Sequence, residues 1–326
     1  MFPRIFTCIA FILSLSISSV NAQALKVQHD LVVAKDGSGD FKYIQDAINA
    51  VRVYLPKGIT IKIKKGKYVE KLDIPSTLTN IKFVGEDKDS IIISYNDYSG
   101  KGKMETFDSF TLRVMGNNLS FENLTIENTA GRVGQAVALH VEGDRCVFKN
   151  CRFLGNQDTI FASGENSRQL FEDCYIEGTV DFIFGSSTAL FERCHIHSKA
   201  DGYVSAASTP DWVVYGYVFK NCKLTADANV TKVYLGRPWR DFAKTVFIDC
   251  EVGSHIVPEG WNNWGRPSTE NTVFYAEYNT TGTGANQTKR VKWSKSLTKT
   301  EALTYSKSEI FAGKIIQELS KFWLDK

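Results

Sequence analysis

Apolar and polar positions through the middle of the chain follow one short recurring pattern: Phe, two variable residues, usually Cys, one variable residue, then an apolar residue. Six segments carry it, starting at Phe121, Phe148, Phe171, Phe191, Phe219 and Phe247, spaced 27, 23, 20, 28 and 28 residues apart. Within each segment the Phe, the fourth residue and the last apolar residue alternate with polar neighbours, which is the period of a strand. Self-similarity at this spacing marks a solenoid, in which each coil buries its apolar face on the next. The coils are too short to hold a regular helix each, so the pattern predicts an all-β fold, a parallel β-helix.

Outside the repeats the pattern changes. Leu31–Ala34 reads as a first strand and Asp36–Asp40 as a turn. Ile44, Ala47, Ile48, Val51 and Leu55 then follow at helical spacing, as expected of a capping helix over the open end of the coil. Ile59 to Ile63 and Ile81 to Val84 read as early rungs. Near the C-terminus Ile310, Phe311, Ile315, Ile316, Leu319 and Phe322 form a helical stripe, predicting a helical segment packed along or over the coil. The stretch from Val257 to Gly284 is irregular and rich in Trp and Asn.

The 326 residues would ordinarily suggest two domains, but a solenoid grows along its axis without dividing its core. Residues 1–22 have the charged start (Arg4), apolar stretch and small-residue end of a signal peptide, with cleavage after Ala22 or after Ala24. Residues 25–326 then form one domain. Secretion is the expectation, and five Asn-x-Ser/Thr sequons, at Asn118, Asn123, Asn229, Asn279 and Asn286, accord with it; Asn279 and Asn286 lie in a loop-like stretch. The formal charge of +3 falls to +2 with the loss of Arg4, too small for a nucleic-acid binder. No later segment is apolar enough to cross a membrane. Five of the seven cysteines (Cys151, Cys174, Cys194, Cys222, Cys250) share one repeat position, so they are expected to stack inside as small apolar side chains rather than as disulfides.

Two carboxylates stand in apolar or neutral surroundings. Asp158 sits in Gly155–Phe161 and Asp181 in Val180–Gly185, 23 residues apart, about one coil. That spacing can set them one above the other, where one is pushed to keep a proton and the pair divides into acid and nucleophile; a ladder of polar turn caps would have the same spacing. Gln135 precedes Gln157 by 22 residues, again about one coil, which suits either a pair of oxyanion donors or an internal amide ladder. Arg237, in Leu235-Gly-Arg-Pro-Trp239, can hold a carboxylate ionised by a bidentate bond or serve a structural ion pair. His140, His195, His197 and His255 show no metal-ligand spacing, and no Gly-x-Ser-x-Gly elbow supports a serine esterase.

Five motifs in order give the chain a resemblance to the plant pectin methylesterases, the pectinesterase family: Gly66-Lys-Tyr-Val-Glu70, Gln135–Leu139, Gln157-Asp-Thr159, Asp181–Gly185 and Leu235–Trp239. The resemblance covers nearly all of the mature chain and implies that the all-β fold is a single-stranded right-handed parallel β-helix. It implies a secreted carboxylic ester hydrolase of the cell wall that demethylesterifies homogalacturonan and releases methanol without a cofactor. Asp181 would be the nucleophile, Asp158 the acid/base, Gln135 and Gln157 the oxyanion donors, and Arg237 the group that orients Asp181. Trp239 and Trp261 would stack on sugar rings, with Trp264 in groove or core. A proteinaceous pectin methylesterase inhibitor is an implied partner, and monomeric action is expected. Gly66, Tyr68 and Glu70 are read as structural. The chain departs from the family at Asn156, Phe161 and Ser186-Ser187, positions that border the groove in the family, which bears on subsite preference. The short region before the repeats resembles the class without an inhibitor-like pro-domain. The alternatives are another pectin-active β-helix enzyme (polygalacturonase or pectate lyase) or an inactive pectin-binding wall protein.

Overall fold

The structure, a computed structural model, describes residues 29–55 and 57–312. The expected signal peptide and the outer part of the C-terminal stripe (Ile315, Ile316, Leu319, Phe322) lie outside these residues. The chain is an all-β, right-handed parallel β-helix, and every pairing between its named strands is parallel. An 11-stranded sheet runs from Leu31–Val33 to Lys295–Ser296. A second, 13-stranded sheet contains two ladders fused by the long strands Tyr175–Gly185 and His195–Ala207. Each coil therefore has three faces, and the long strands bend from one face into the next.

The repeat owes its residue types to this geometry. Phe83, Phe121, Phe148, Phe171, Phe191, Phe219 and Phe247 occupy one register of the first sheet. Their rings stack inside the coil at centroid separations of 4.4 to 5.0 Å, within the range of favourable aromatic pairs. Two residues later the chain turns a corner, and Asn123, Asn150, Asp173, Arg193, Asn221 and Asp249 all take φ between 50° and 59°. Asn and Asp tolerate this left-handed conformation best, so a position that looks variable in sequence is conformationally selected. Each Cys follows the corner, and its thiol donates to the carbonyl of the Phe one coil earlier: Cys151 to Phe121 at 3.4 Å, Cys174 to Phe148 at 3.4 Å, Cys194 to Phe171 at 3.3 Å. Cys222 and Cys250 repeat the bond to Phe191 and Phe219. All six described cysteines are free and buried, as the spacing predicts.

The two ends are closed differently. The capping helix, Ile44–Ala50, buries Ile44, Ala47 and Ile48 over the first coil. Its first backbone N–H groups, at Ile44 and Gln45, donate to the two carboxylate oxygens of Glu70, both at 3.1 Å, which satisfies donors a helix start otherwise leaves open. Tyr68 is fully buried with its hydroxyl on the Lys64 carbonyl. The Gly66–Glu70 motif is thus accounted for structurally, as the sequence suggests. At the far end, the rung after Phe247 places Glu277 in the Phe register. Its carboxylate is buried against the Arg290 guanidinium (Nε–Oε1, 2.8 Å), which also donates to the carbonyls of Val257, Pro258 and Gly284. The C-terminal helical segment begins with Thr298 and Glu301 in a reciprocal cap. Ile310 and Phe311 then pack on Leu170, Leu190, Val218 and Val246 on the outside of the first sheet, so the helix flanks the coil.

Candidate active site

The candidate residues meet where the two ladders of the second sheet join. Asp158 occupies the turn before strand Ile160–Ala162 at φ 65°. The buried Thr159 fixes this turn by donating to the carbonyls of Asn156 and Glu177. Asp181 lies in the bend of strand Tyr175–Gly185, where the pairing register shifts between Val180 and Ile183. A shift of this kind re-aims a side chain, and here Asp181, at φ 51°, turns its carboxylate to Arg237. Gln135 and Gln157 form a parallel bridge on successive coils. Arg237 follows strand Val233–Gly236, and its N–H donates to the Ser205 carbonyl at 2.9 Å. A Cβ at Gly236 would run into the Ser205 hydroxyl, so only Gly lets this strand end approach closely enough.

Charge is distributed unequally over the pair. The Arg237 guanidinium grips Asp181 with two parallel bonds, Nε to Oδ1 at 2.9 Å and Nη2 to Oδ2 at 2.6 Å. Asp158 and Asp181 are both buried. Burial pushes Asp158 well above the ordinary carboxylate range, the neighbouring Asp181 charge adds to this, and Arg237 and the Gln135 amide offset only part of it. Burial also raises Asp181, but the direct bonds and charge of Arg237 oppose the rise. Both carboxyls stay raised on balance, Asp158 the further, so Asp158 is the one set to hold its proton and Asp181, on Arg237, the one that ionises first.

An aromatic floor flanks the pair. Trp239 is half-buried and packs on Phe184 (centroids 5.8 Å), Phe161 (6.4 Å) and Phe107 (6.4 Å). Trp261 does not join it. That ring is only 1% exposed, inside the coil between Tyr275 (4.6 Å) and Phe247 (5.8 Å), and no sugar can reach it. The tryptophan on the site side is Trp264, three residues on, whose ring covers the Arg237 guanidinium at 3.6 Å. Tyr203 covers the opposite face at 3.8 Å. Sequence reasoning left Trp264 between groove and core, and it missed Tyr203, Phe107 and Phe184 altogether. Trp264 and Phe107 stand in irregular segments without a period; Tyr203 and Phe184 carried only the alternation of their strands.

Of the departures, Asn156 lines a cleft with Arg132, Gly134, Gln157, Thr179, Val180 and Ala200. Of the Ser186-Ser187 pair, Ser187 does not border the groove. Ser187 is buried, bonded to the Ala162 carbonyl and Gln169, and Ser186 pairs with Ser163. His140 is buried between the Phe107 carbonyl and Glu142, while His195 and His197 both bond Thr225 on a neighbouring rung. Among the described residues no group of three or more His, Cys, Asp or Glu is arranged to hold a metal ion, and no helix is long and apolar enough to cross a membrane.

The family model described as Pectinesterase matches residues 30–314. Pectinesterase 31 of Arabidopsis thaliana is 38% identical over 83% of this chain and 88% of its own length. Probable pectinesterase/pectinesterase inhibitor 58 of the same plant is 37% identical over 89% of this chain, but the chain spans only 53% of that longer relative. Among solved structures, a pectin methylesterase from carrot superposes with TM-score 0.83 at 34% identity, covering 88% of this chain and 94% of the carrot one. A pectin methylesterase in complex with a hexasaccharide superposes with TM-score 0.75 at 30% identity, over 87% of this chain and 97% of its own.

Proposed function

The chain belongs to the pectinesterase family, and on that premise we propose that it hydrolyses the methyl esters of homogalacturonan, releasing methanol and leaving free carboxylates. The observation that carries the reading is the unequal carboxylate pair: Asp181 gripped by Arg237, and Asp158 buried without such a partner, which favours its protonated form. A carboxylate is a weak nucleophile toward an ester and needs orientation, an electrostatic sink and a proton for its leaving group.

In this reading an Asp181 oxygen attacks the ester carbonyl carbon. The carbonyl electrons move onto oxygen, where the Gln135 and Gln157 amides receive the charge. Collapse breaks the bond to the methoxy group, which takes the Asp158 proton and leaves as methanol. The acyl group remains on Asp181 as an anhydride. Asp158, now ionised, takes one proton from water as that water attacks the acyl carbon; collapse breaks the anhydride bond to Asp181, which leaves as a carboxylate, and frees the galacturonic acid, which loses the second water proton to solvent, with Asp158 again protonated. Arg237 keeps Asp181 ionised and in plane at the start of each cycle. Trp239, on its aromatic floor, offers an apolar face for a sugar ring. No cofactor takes part. In the same reading the protein loses its signal peptide and works in the plant cell wall, acting as a monomer and open to a proteinaceous inhibitor.

The test is methanol release from highly methylated pectin by the wild type and by Asp181→Asn at matched circular dichroism. Release by the wild type and its near loss in the variant is expected. A folded wild type that releases none from mildly acidic to mildly alkaline pH would overturn the proposal in favour of a binding role, and shortened or unsaturated chains would point to a hydrolase or lyase of the polymer backbone.

A further inference from the structure

The Arg237 guanidinium is the middle layer of a stack. Trp264 lies over one face at 3.6 Å and Tyr203 over the other at 3.8 Å. Tyr203 is itself backed by Tyr234, with centroids 5.3 Å apart and planes within 17° of parallel. Both tyrosines come from rigid, paired strands, in register at Tyr203 and Tyr234. Trp264 comes from the irregular stretch, where it holds a φ of 57°. That conformation is a genuine outlier for a bulky residue and persists only where its surroundings enforce it. Here the Asn262 side chain accepts the Trp264 N–H at 2.7 Å, and in this conformation the indole lies on the guanidinium.

We propose that Tyr203 and Trp264 are positioning residues for catalysis: they clamp the Arg237 guanidinium in one plane, so that it meets Asp181 edge-on and both of its bonds to the nucleophile stay in line. With both faces covered by aromatic rings, water reaches the guanidinium only at its edges, and the charge it presents to Asp181 is correspondingly unscreened. The groups facing Asp181 are Arg237, Asp158 on the adjoining coil, and the buried Tyr275 below. Arg266, nearest Tyr275, is engaged with Asp241, and Lys199 with Glu177. Arg237 is thus the cation that keeps the nucleophile ionised, and whatever loosens it lets burial raise Asp181 further.

The inference rests on the esterase reading but is tested separately from it. Trp264→Leu and Tyr203→Leu should each move the acid limb of the kcat/KM–pH profile to higher pH by about half a unit or more, and lower kcat several-fold at acid pH, with KM within about twofold. Tyr203→Phe keeps the ring and should match the wild type. An unmoved limb with a raised KM would make Trp264 a sugar platform and overturn the clamp. The Asp181 carboxyl carbon, assigned by difference from Asp181→Asn, can also be titrated by ¹³C NMR without substrate. Should a Leu variant fail to fold, Trp264→Phe should give a smaller shift of the same sign in that titration. A wild-type position for Asp181 in folded variants would sink the inference, even in a protein that released no methanol.

Discussion

The backbone N–H of Asp158 donates to the carbonyl of Val180 at 3.1 Å, so a rung of the β-helix ladder ties Asp158 to the residue immediately before Asp181. The distance between the two carboxyls is set by coil stacking and not by loop conformation, which suits a reaction in which one proton must pass between fixed positions.

Asp158 should lower stability while it serves catalysis. Burial raises its pKa in the folded chain. Between the ordinary carboxylate value and the raised one, the folded protein holds a proton that the unfolded chain has released, so stability falls as pH rises through that window. Asn does not titrate. Asp158→Asn should therefore melt with the wild type near pH 4 and above it, by about 2 °C or more, near pH 8, while methanol release drops by about 10²–10⁴. Thermal melts of both proteins across pH check this, and a gap that does not open as pH rises would remove Asp158 as the protonated member.

Gln157→Ala leaves the bridge to Gln135 intact, since the pairing is between backbones. It removes only the amide. The expected loss is about 10²–10³ in kcat with little change in KM. Steady-state kinetics on methylated pectin decide the matter, and a loss confined to KM would make Gln157 a substrate contact and not an oxyanion donor.

Trp261→Ala should act on the fold. Its ring fills the coil between Phe247 and Tyr275, so truncation leaves a cavity costing about 3–5 kcal/mol, read as a lower urea midpoint. Activity per folded molecule should fall far less than in Asp158→Asn.

The buried thiols should be silent. Burial pushes the Cys146 thiol up to about 12, and the ladder thiols donate to backbone carbonyls inside the coil. Ellman's reagent should find none of the six in the native protein and all of them in denaturant. Rapid native reaction would mean the coil opens readily.

Glycan attachment should favour Asn229. Asn123 is stacked between the Gly85 carbonyl and Asn150, Asn279 donates to Asp249, and Asn286 caps a turn. Asn229 is exposed. In protein secreted from plant cells, Asn229→Gln should remove one glycan by mass, and an unchanged mass would refute this choice.

Much of this was legible in the sequence because the coil repeats itself. Phe and Cys recur at fixed offsets, so their shared inward direction follows from spacing alone, and Asp158, Asp181, Gln135, Gln157 and Arg237 stand in motifs tied to that repeat. Reading failed where the period stops. Trp261 and Trp264 are three residues apart in a stretch without strand alternation, and nothing local says which one faces inward; a bridge from Gly236 to Trp261 decides it. The corner residues escaped for a different reason. Asn, Asp and Arg look interchangeable as polar residues, yet their common property here is a backbone angle.

A stack of like rungs has no inherent length, and a coil whose last rung resembled its first could go on adding copies of itself. Glu277 breaks that likeness. It occupies the Phe register with a charge that Arg290 neutralises, and the strand that pairs beyond it, Lys295–Ser296, is only two residues long, is exposed, and sets Ser296 against Glu277. A second molecule docking there would meet a short polar edge laid over an ion pair already committed to its own chain, and no apolar rung to extend.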